Sequence, residues 1–343
     1  MSLALDGLAI AYPDARIGPI DLTVPSGVTA VLGPSGAGKS TLLELIAGFE
    51  TPDSGTITLD GARLDGRPPE RRPVGMVFQD DALFPHRSVR ENIAFGAAES
   101  VDTAAIAERF EIGELLDRDP ATLSGGESRR VALARTLASD PDALLLDEPL
   151  ASLDAPIRRR LRRDLAARLA ALDVPVVYVT HDQREAAVVG DRLAVLFDGT
   201  LHQVGPTDRV FDRPATERVA RFLGHSVVEG QVVSRDPPRI DCGPTTVRAS
   251  MVASGPAVSV ALDPSAVDLR PADPSSDDSA AASNRLDGEI DRIVDRQTDT
   301  IATISVPGLG PIEARVGRSR ADELSEGEDC VVAIDPGDIV PIE

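Results

Sequence analysis

One run of residues constrains this chain more than any other feature: Gly33-Pro34-Ser35-Gly36-Ala37-Gly38-Lys39-Ser40. It follows an apolar run ending at Leu32 and precedes a helix expected over residues 41–47. Between a strand and a helix, a glycine loop of this spacing lets successive backbone N–H groups curl toward phosphate oxygens, and the positive end of the helix adds to the attraction. Pro34 has no N–H, so the donors are expected from Gly36 onward, through Ala37, Gly38, Lys39, Ser40 and Thr41. Lys39 brings a mobile charge to the β and γ phosphates, and the Ser40 hydroxyl can ligate the Mg²⁺ that bridges them. Alone, the run identifies a nucleotide binder.

A second element is Ala143-Leu144-Leu145-Leu146-Asp147-Glu148-Pro149, an apolar run suited to a strand buried on both faces, with two carboxylates at its carboxyl end. Asp147 is expected to hold Mg²⁺ through water, and Glu148 to polarise an attacking water as general base. The plain alternative is a helix cap beside a surface acid. The third element, Leu123-Ser124-Gly125-Gly126-Glu127, leads into a helix expected near Ser128, so it is a second loop-to-helix anion site.

In this order the three elements resemble the nucleotide-binding subunit of the ABC ATPase family, and residues 123–127 resemble its signature motif. The resemblance implies ATP and Mg²⁺ as cofactors and a head-to-tail homodimer. In it, Ser124, Gly125 and Gly126 of one chain close over nucleotide held by Gly33, Ser35, Gly36, Ala37, Gly38, Lys39, Ser40 and Thr41 of the other. It also implies that Tyr12 stacks on adenine, that Gln79 links Mg²⁺ and water to a permease, that Asp154 is the acid of a dimer-face loop, and that His181 senses the γ-phosphate. Lys39, Gln79, Glu148 and His181 then form the catalytic set, and Ser40, Gln79 and Asp147 the metal set. Taken singly, Tyr12 reads as strand surface, Gln79 as a turn residue and His181 as a cap. Residues 78–86 with 89–93 are similar to the permease-facing region of importer ATPases. Glu127, where glutamine is also common in the family, and the small Ser128 are departures that leave hydrolysis expected.

Length and charge narrow the reading. At 343 residues the chain suits two domains. No stretch approaches the ~18 consecutive apolar residues of a membrane span, and the first residues lack the pattern of a signal peptide, so a soluble chain that stays in the cytoplasm is expected; the resemblance implies a peripheral place on the cytoplasmic face of the membrane. The net charge of −21 argues against a nucleic-acid partner. Lys39 is the single lysine among plentiful arginines, a pattern resembling proteins of salt-loving organisms. Cys242 and Cys330 fit no metal-ligand spacing and are expected as buried thiols. The run Arg158-Arg159-Arg160 with Arg162-Arg163 rings a helix instead of lining one face, which favours a solvated helix paired with acids over a nucleic-acid patch.

From residue 3 to about 223, strands and helices alternate as in a parallel α/β fold. Beyond Gly224 the helical period disappears, and segments 227–233, 257–262, 300–306 and 330–334 read as strands. Residues 271–284 are acidic and without apolar anchors, so a mobile loop is expected there. Val258-Ser259-Val260-Ala261-Leu262-Asp263-Pro264 recurs as Cys330-Val331-Val332-Ala333-Ile334-Asp335-Pro336, and Glu229-Gly230 recurs as Asp287-Gly288, which predicts a duplicated small β unit; the plain alternative is that two strands of one barrel end alike.

The expected architecture is therefore an α/β P-loop NTPase (RecA-like) domain over residues 1–224, with a helical subdomain at about 84–140. An all-β OB-like (TOBE/MOP-like) barrel domain follows over residues 225–343. The resemblance to importer ATPases extends through it and implies transmembrane permease subunits as partners, with an extracytoplasmic solute-binding protein acting indirectly. The duplicated pattern resembles that of the molybdate and tungstate branch, although the Asp- and Glu-rich C-terminal half would repel a divalent anion unless its pocket is locally neutral or positive; sulfate, thiamine, iron, sugar and polyamine importers are the alternatives. A soluble ABC ATPase acting on nucleic acid and a regulatory protein with a vestigial ATPase are weaker rivals, since the chain lacks a basic surface and keeps Lys39, Asp147, Glu148 and His181.

Overall fold

The computed structural model describes residues 1–151, 155–252, 255–272, 284–295 and 300–342. It resolves into two compact units, Met1–Asp208 and Arg209–Glu343.

In the first unit, strands β1 (Ser2–Ala11) and β2 (Arg16–Pro25) form an antiparallel hairpin, followed by β3 (Gly27–Leu32) and helix α1 (Lys39–Ala47). Then come β4 (Ser54–Leu59), β5 (Ala62–Arg63) and β6 (Val74–Val77), followed by helices α2 (Val89–Ala94), α3 (Thr103–Arg109) and α4 (Gly125–Ala138). The rest is β7 (Ala143–Asp147), α5 (Ala155–Ala170), β8 (Pro175–Thr180), α6 (Gln183–Val189), β9 (Arg192–Phe197), β10 (Thr200–Pro206) and α7 (Thr207–Asp212), which runs across the division between the units. A six-stranded sheet in the order β10-β9-β3-β8-β7-β6 is parallel except for β10, and a four-stranded antiparallel sheet has the order β2-β1-β4-β5.

The apolar runs are continuous because the main sheet is covered on both faces. Successive side chains of a strand point oppositely, and they divide between two cores accordingly. Ala143, Leu145, Val177 and Val179 enter the core beneath α1 and the antiparallel sheet. Leu144, Leu146, Val176 and Tyr178 enter the core formed with the helices of the 84–140 region and α5. Each fully buried Leu or Val contributes about 1.5–3 kcal/mol. The expected strands and helices are present with shifted starts: α1 begins at Lys39 and α4 at Gly125, because each loop glycine leads directly into helix. In α5, Leu161, Leu165 and Leu169 form the buried face, while Arg168 pairs with Asp164 and Glu111.

The second unit carries α8 (Glu217–Leu223) and strands β11 (Ser226–Arg235), β12 (Pro238–Asp241), β13 (Thr246–Arg248), β14 (Ala257–Leu262) and β15 (Val267–Pro271). These are followed by β16 (Asn284–Asp295), β17 (Thr300–Val306), β18 (Gly310–Val316), the short helix α9 (Arg318–Ala321), β19 (Asp329–Ile334) and β20 (Ile339–Ile342). The division falls at Asp208/Arg209, ahead of the expected boundary at 224, because α8 packs Ala220 against Ala261 and Ile342 of the β unit. α9 is a helical turn in a region expected to be wholly β.

Two antiparallel five-stranded sheets, β13-β12-β11-β14-β20 and β15-β19-β16-β17-β18, close on one core that takes Val228, Ile240 and Val260 from one and Ile290, Ile304 and Val332 from the other. The duplication is visible in their register. Gly230 pairs with Val258 as Gly288 pairs with Cys330, and Val232 opposes Ile240 as Ile290 opposes Ile304. The bulge in each first strand follows immediately, between Val232 and Ser234 and between Ile290 and Arg292. The copies then exchange their last strands: β20 pairs with β14 through Leu262 and Ile339, and β15 pairs with β19 through Ile334 and Val267.

Of the expected mobile loop, residues 273–283 lie outside the described residues. Its ends are structured, however. Pro271 closes β15, and the buried Asn284 side chain donates to Arg248 O at 2.8 Å and Ile334 O at 3.2 Å while accepting from Arg248 N–H at 2.6 Å.

Candidate nucleotide site

The site forms where β3, β7 and β8 end at the carboxyl edge of the parallel sheet. The loop after β3 turns sharply enough that Gly33 and Gly38 have no room for a side chain. Gly38 holds φ +95°, and a Cβ there would stand 2.2 Å from Ile17 Cδ1. A Cβ on Gly33 would stand 2.2 Å from Leu196 O. The start of α1 carries neither a side-chain cap nor an acid in its first turn, which leaves its positive end open to an anion. Ser35 and Gly36 are exposed beside it, and Thr41 lies in its first turn. The Ala37 N–H is taken up by Pro34 O at 3.2 Å, so this donor is turned into the loop.

Lys39 is only 5% exposed. Its Nζ donates to Gly33 O and Pro34 O, each at 2.9 Å, and stands 3.8 Å from Glu148 Oε1. Burial pushes its pKa down, and the neighbouring Glu148 and Asp147 oppose that shift. The Ser40 hydroxyl donates to Asp147 Oδ1 at 3.3 Å. Burial pushes the Asp147 carboxyl up, and the Ser40 hydrogen bond partly offsets it. Glu148 follows at φ +41° with its N–H on Val179 O at 3.0 Å, and its Oε2 lies 2.9 Å from His181 Nδ1. The structure thus brings together Gly33, Lys39 and Ser40 with Asp147 and Glu148 and with His181, three stretches that lie far apart in the chain.

Among the described residues, Tyr12, Gln79 and Ser124 make no hydrogen bond or ion pair with this cluster. Tyr12 is exposed in the turn after β1, its N–H on Ala15 O at 2.7 Å, in the hairpin whose Ile17 touches Gly38. Burial and the carboxylates of Glu50, Glu44 and Asp53 raise its phenol pKa. Gln79 is exposed after β6, and among the described residues no hydrogen bond joins its side chain to Ser40 or Asp147. Ser124 caps α4, and among the described residues no hydrogen bond or ion pair joins residues 124–126 to residues 33–40. Asp154 lies outside the described residues.

Sequence reasoning missed the job of Glu127. Its Oε2 accepts from the Ser124 N–H at 2.8 Å and the Ser124 hydroxyl at 2.7 Å, and these bonds hold its pKa down. The Ser-x-x-Glu spacing of a capping box was the available signal, and Ser88 with Glu91 repeats it at α2. Also missed was the buried Glu185, whose Oε2 accepts from the Tyr178 hydroxyl at 3.1 Å and the Thr180 hydroxyl at 2.9 Å just before His181. Beside Gln79, Phe49 and Phe78 meet at a tilt with centroids 5.8 Å apart, and Phe84 and Phe95 meet at 4.6 Å under the Arg87 guanidinium. Phe49, Phe78 and Phe95 remain exposed. The buried Asn92 fixes this loop by accepting from Phe84 N–H at 2.9 Å and donating to the carbonyls of Phe84, Arg87 and Ser88.

Residues 17–151 match the ABC transporter family profile, and residues 280–340 match the TOBE domain profile. The spermidine/putrescine import ATP-binding protein PotA 1 of Pseudomonas aeruginosa is 44% identical over 66% of this chain and 66% of its own length, just under two thirds of that relative. The molybdate/tungstate import ATP-binding protein WtpC of Thermococcus kodakarensis is 44% identical over 68% of this chain and 74% of its own length. The sulfate/thiosulfate import ATP-binding protein CysA of Mycobacterium tuberculosis is 44% identical over 73% of each chain. Among solved structures, cbiO1 of Clostridium perfringens, part of the ABC transporter complex cbiONQ, superposes with a TM-score of 0.55 and 30% identity over 64% of this chain and 92% of its own.

Proposed function

The chain belongs to the ABC transporter ATP-binding proteins, and from that premise we propose that it hydrolyses ATP to drive solute import through a separate permease. The observation that carries this reading is the cluster of Lys39, Glu148 and His181 beside the Ser40–Asp147 pair. Lys39 leaves the Gly33 and Pro34 carbonyls to meet phosphate oxygens. Glu148 takes the proton of the attacking water, a contribution of about 10²–10⁴ in rate. His181 and Lys39 flank its two oxygens and so fix where the carboxylate points.

Ser40 Oγ and Asp147 Oδ1, 3.3 Å apart, are hard oxygen donors of the kind that suits Mg²⁺. The described residues offer no cluster of three or more His, Cys, Asp or Glu side chains fit for a metal, so phosphate oxygens and water would complete the shell. When bound, Mg²⁺ supplies charge that neutralises the phosphates, and Ser40, Asp147 and, on domain closure, Gln79 are the residues to hold it.

Among the described residues, no hydrogen bond or ion pair joins residues 124–126 to residues 33–40 of the same chain, and this supports a head-to-tail homodimer in which each signature loop completes the partner's site. The exposed aromatic group around Phe49, Phe78 and Phe95 supports a permease contact beside Gln79, and no described helix is long and apolar enough to cross a membrane itself. That combination supports a peripheral position on the cytoplasmic face. Glu148→Gln is the test. ATP turnover falls by two or more orders of magnitude while an ATP-bound dimer accumulates; a variant that stays monomeric in ATP would refute the shared site.

Two features favour different solutes. The duplicated β unit supports an oxyanion such as molybdate or tungstate. The carboxylates of Glu229 and Asp241, which line a 660 Å³ cleft in the second unit, support a cation such as a polyamine. Calorimetric titration of the whole chain at high salt with tungstate, sulfate and spermidine separates the two by which one binds.

A further inference from the structure

Helix α4 carries Ser124 at its N-terminus and runs back over the segment that follows β6. Arg129 on this helix is 4% exposed. Its Nη1 donates to Phe78 O at 2.7 Å and its Nη2 to Gln79 O at 2.8 Å. The same Nη1 stands 2.8 Å from Asp81 Oδ1, which makes no aligned hydrogen bond because the guanidinium fork is aimed at the two carbonyls. Farther along the helix, Arg135 donates to Ala82 O at 2.7 Å and Asp81 O at 3.0 Å. One helix thus grips the backbone from Phe78 to Ala82.

The grip is needed. Asp81 and Ala82 hold φ of +56° and +47°, a region side chains disfavour, so residues 78–82 do not take this path unaided. A planar guanidinium can bind two adjacent carbonyls at once, whereas a lysine ammonium is a point charge without that fork. Because α4 is one uninterrupted helix from Gly125 to Ala138, a shift of the Ser124 loop carries the Arg129 head group and the Gln79 backbone with it.

We propose that Arg129 is a positioning residue that ties Gln79 to the Ser124 loop, so that docking of this loop on a partner's nucleotide also sets Gln79 at the chain's own site. The proposal rests on the ATPase reading above. It concerns coupling between two loops and not nucleotide binding as such.

The test uses the full chain with Arg129→Gln and Arg129→Lys. Both variants keep the ATP affinity of the isolated monomer. Turnover falls on the order of 10²-fold for Arg129→Gln, as expected when a reacting group is displaced by about 1 Å, and less for Arg129→Lys. Adding Gln79→Ala to Arg129→Gln causes no further loss, because both changes disable one unit. Full turnover in Arg129→Gln, or losses that multiply in the double variant, would overturn the proposal. If Arg129→Gln does not fold, Arg129→Lys carries the same comparison. If the unmodified chain lacks ATPase activity, the functional reading fails instead. Amide exchange at residues 78–82 without nucleotide, faster in either Arg129 variant, then tests the clamp by itself, and unchanged exchange overturns it.

Discussion

His181 Nδ1 lies 2.9 Å from Glu148 Oε2, so the residue after β8 holds the carboxylate that follows β7. Glu148 sits at φ +41°, and its backbone is fixed separately, by its N–H on Val179 O at 3.0 Å. Backbone placement and side-chain direction are therefore set by different partners.

His181→Ala accordingly leaves the Glu148 backbone in place and frees its carboxylate to rotate. Turnover is expected to fall by about 10²-fold with little change in ATP affinity, as measured by steady-state kinetics beside equilibrium binding. Parallel loss of ATP binding would mean that the imidazole is part of the binding site.

Asp147 links stability to pH. Burial raises its folded-state pKa above the ordinary value near 3.9. The folded chain then holds this proton more tightly than the unfolded chain, so the stabilising contribution is present at low pH and is lost as pH rises through the raised pKa. At neutral pH the ionised group is a net burden, and Asp147→Asn is expected to melt at a higher temperature there while losing Mg²⁺-dependent turnover. An unchanged or lower melting temperature at pH 7 would count against this account.

Charge repulsion sets a salt dependence. With a net charge of −21, the chain is expected to gain stability between 0.1 and 1 M KCl, as the screening length shrinks from about 10 Å to about 3 Å. Thermal unfolding across that range is the measurement. A melting temperature that is flat, or highest below 0.5 M, would remove the high-salt explanation for the single lysine.

The two copies in the second unit should respond alike to the same insult. A Cβ on Gly230 would meet Ile240 Cγ2 at 2.5 Å, and one on Gly288 would meet Ile304 Cγ2 at 2.8 Å. Gly230→Ala and Gly288→Ala are each expected to cost about 1–3 kcal/mol by overpacking, as read by denaturant unfolding, with ATP affinity unchanged. A large effect at one position alone would show that the copies pack less equivalently than their register indicates.

Much of the site could be read in advance because its chemistry is contiguous. The loop from Gly33 to Ser40 contains its own turn residues, charge and hydroxyl, and the run ending at Asp147 declares a buried strand by composition. The capping box of Ser124 and Glu127 is equally contiguous, a Ser-x-x-Glu spacing at a helix start. The Arg129 clamp was not readable, since a basic residue near a helix start gives no sign that it will be buried against carbonyls 50 residues earlier.

The sequence by itself determined the two kinds of domain, the glycine loop between β3 and α1, the paired carboxylates and the repeat in the second unit, because each depends on spacing within a few residues. Only the tertiary structure decided that Glu148 meets His181 and Lys39, that α4 grips the Gln79 segment, and that the repeated units exchange β15 and β20. Those relationships depend on which strands lie side by side, and hydrophobic periodicity records which face of a strand is buried without recording its neighbour.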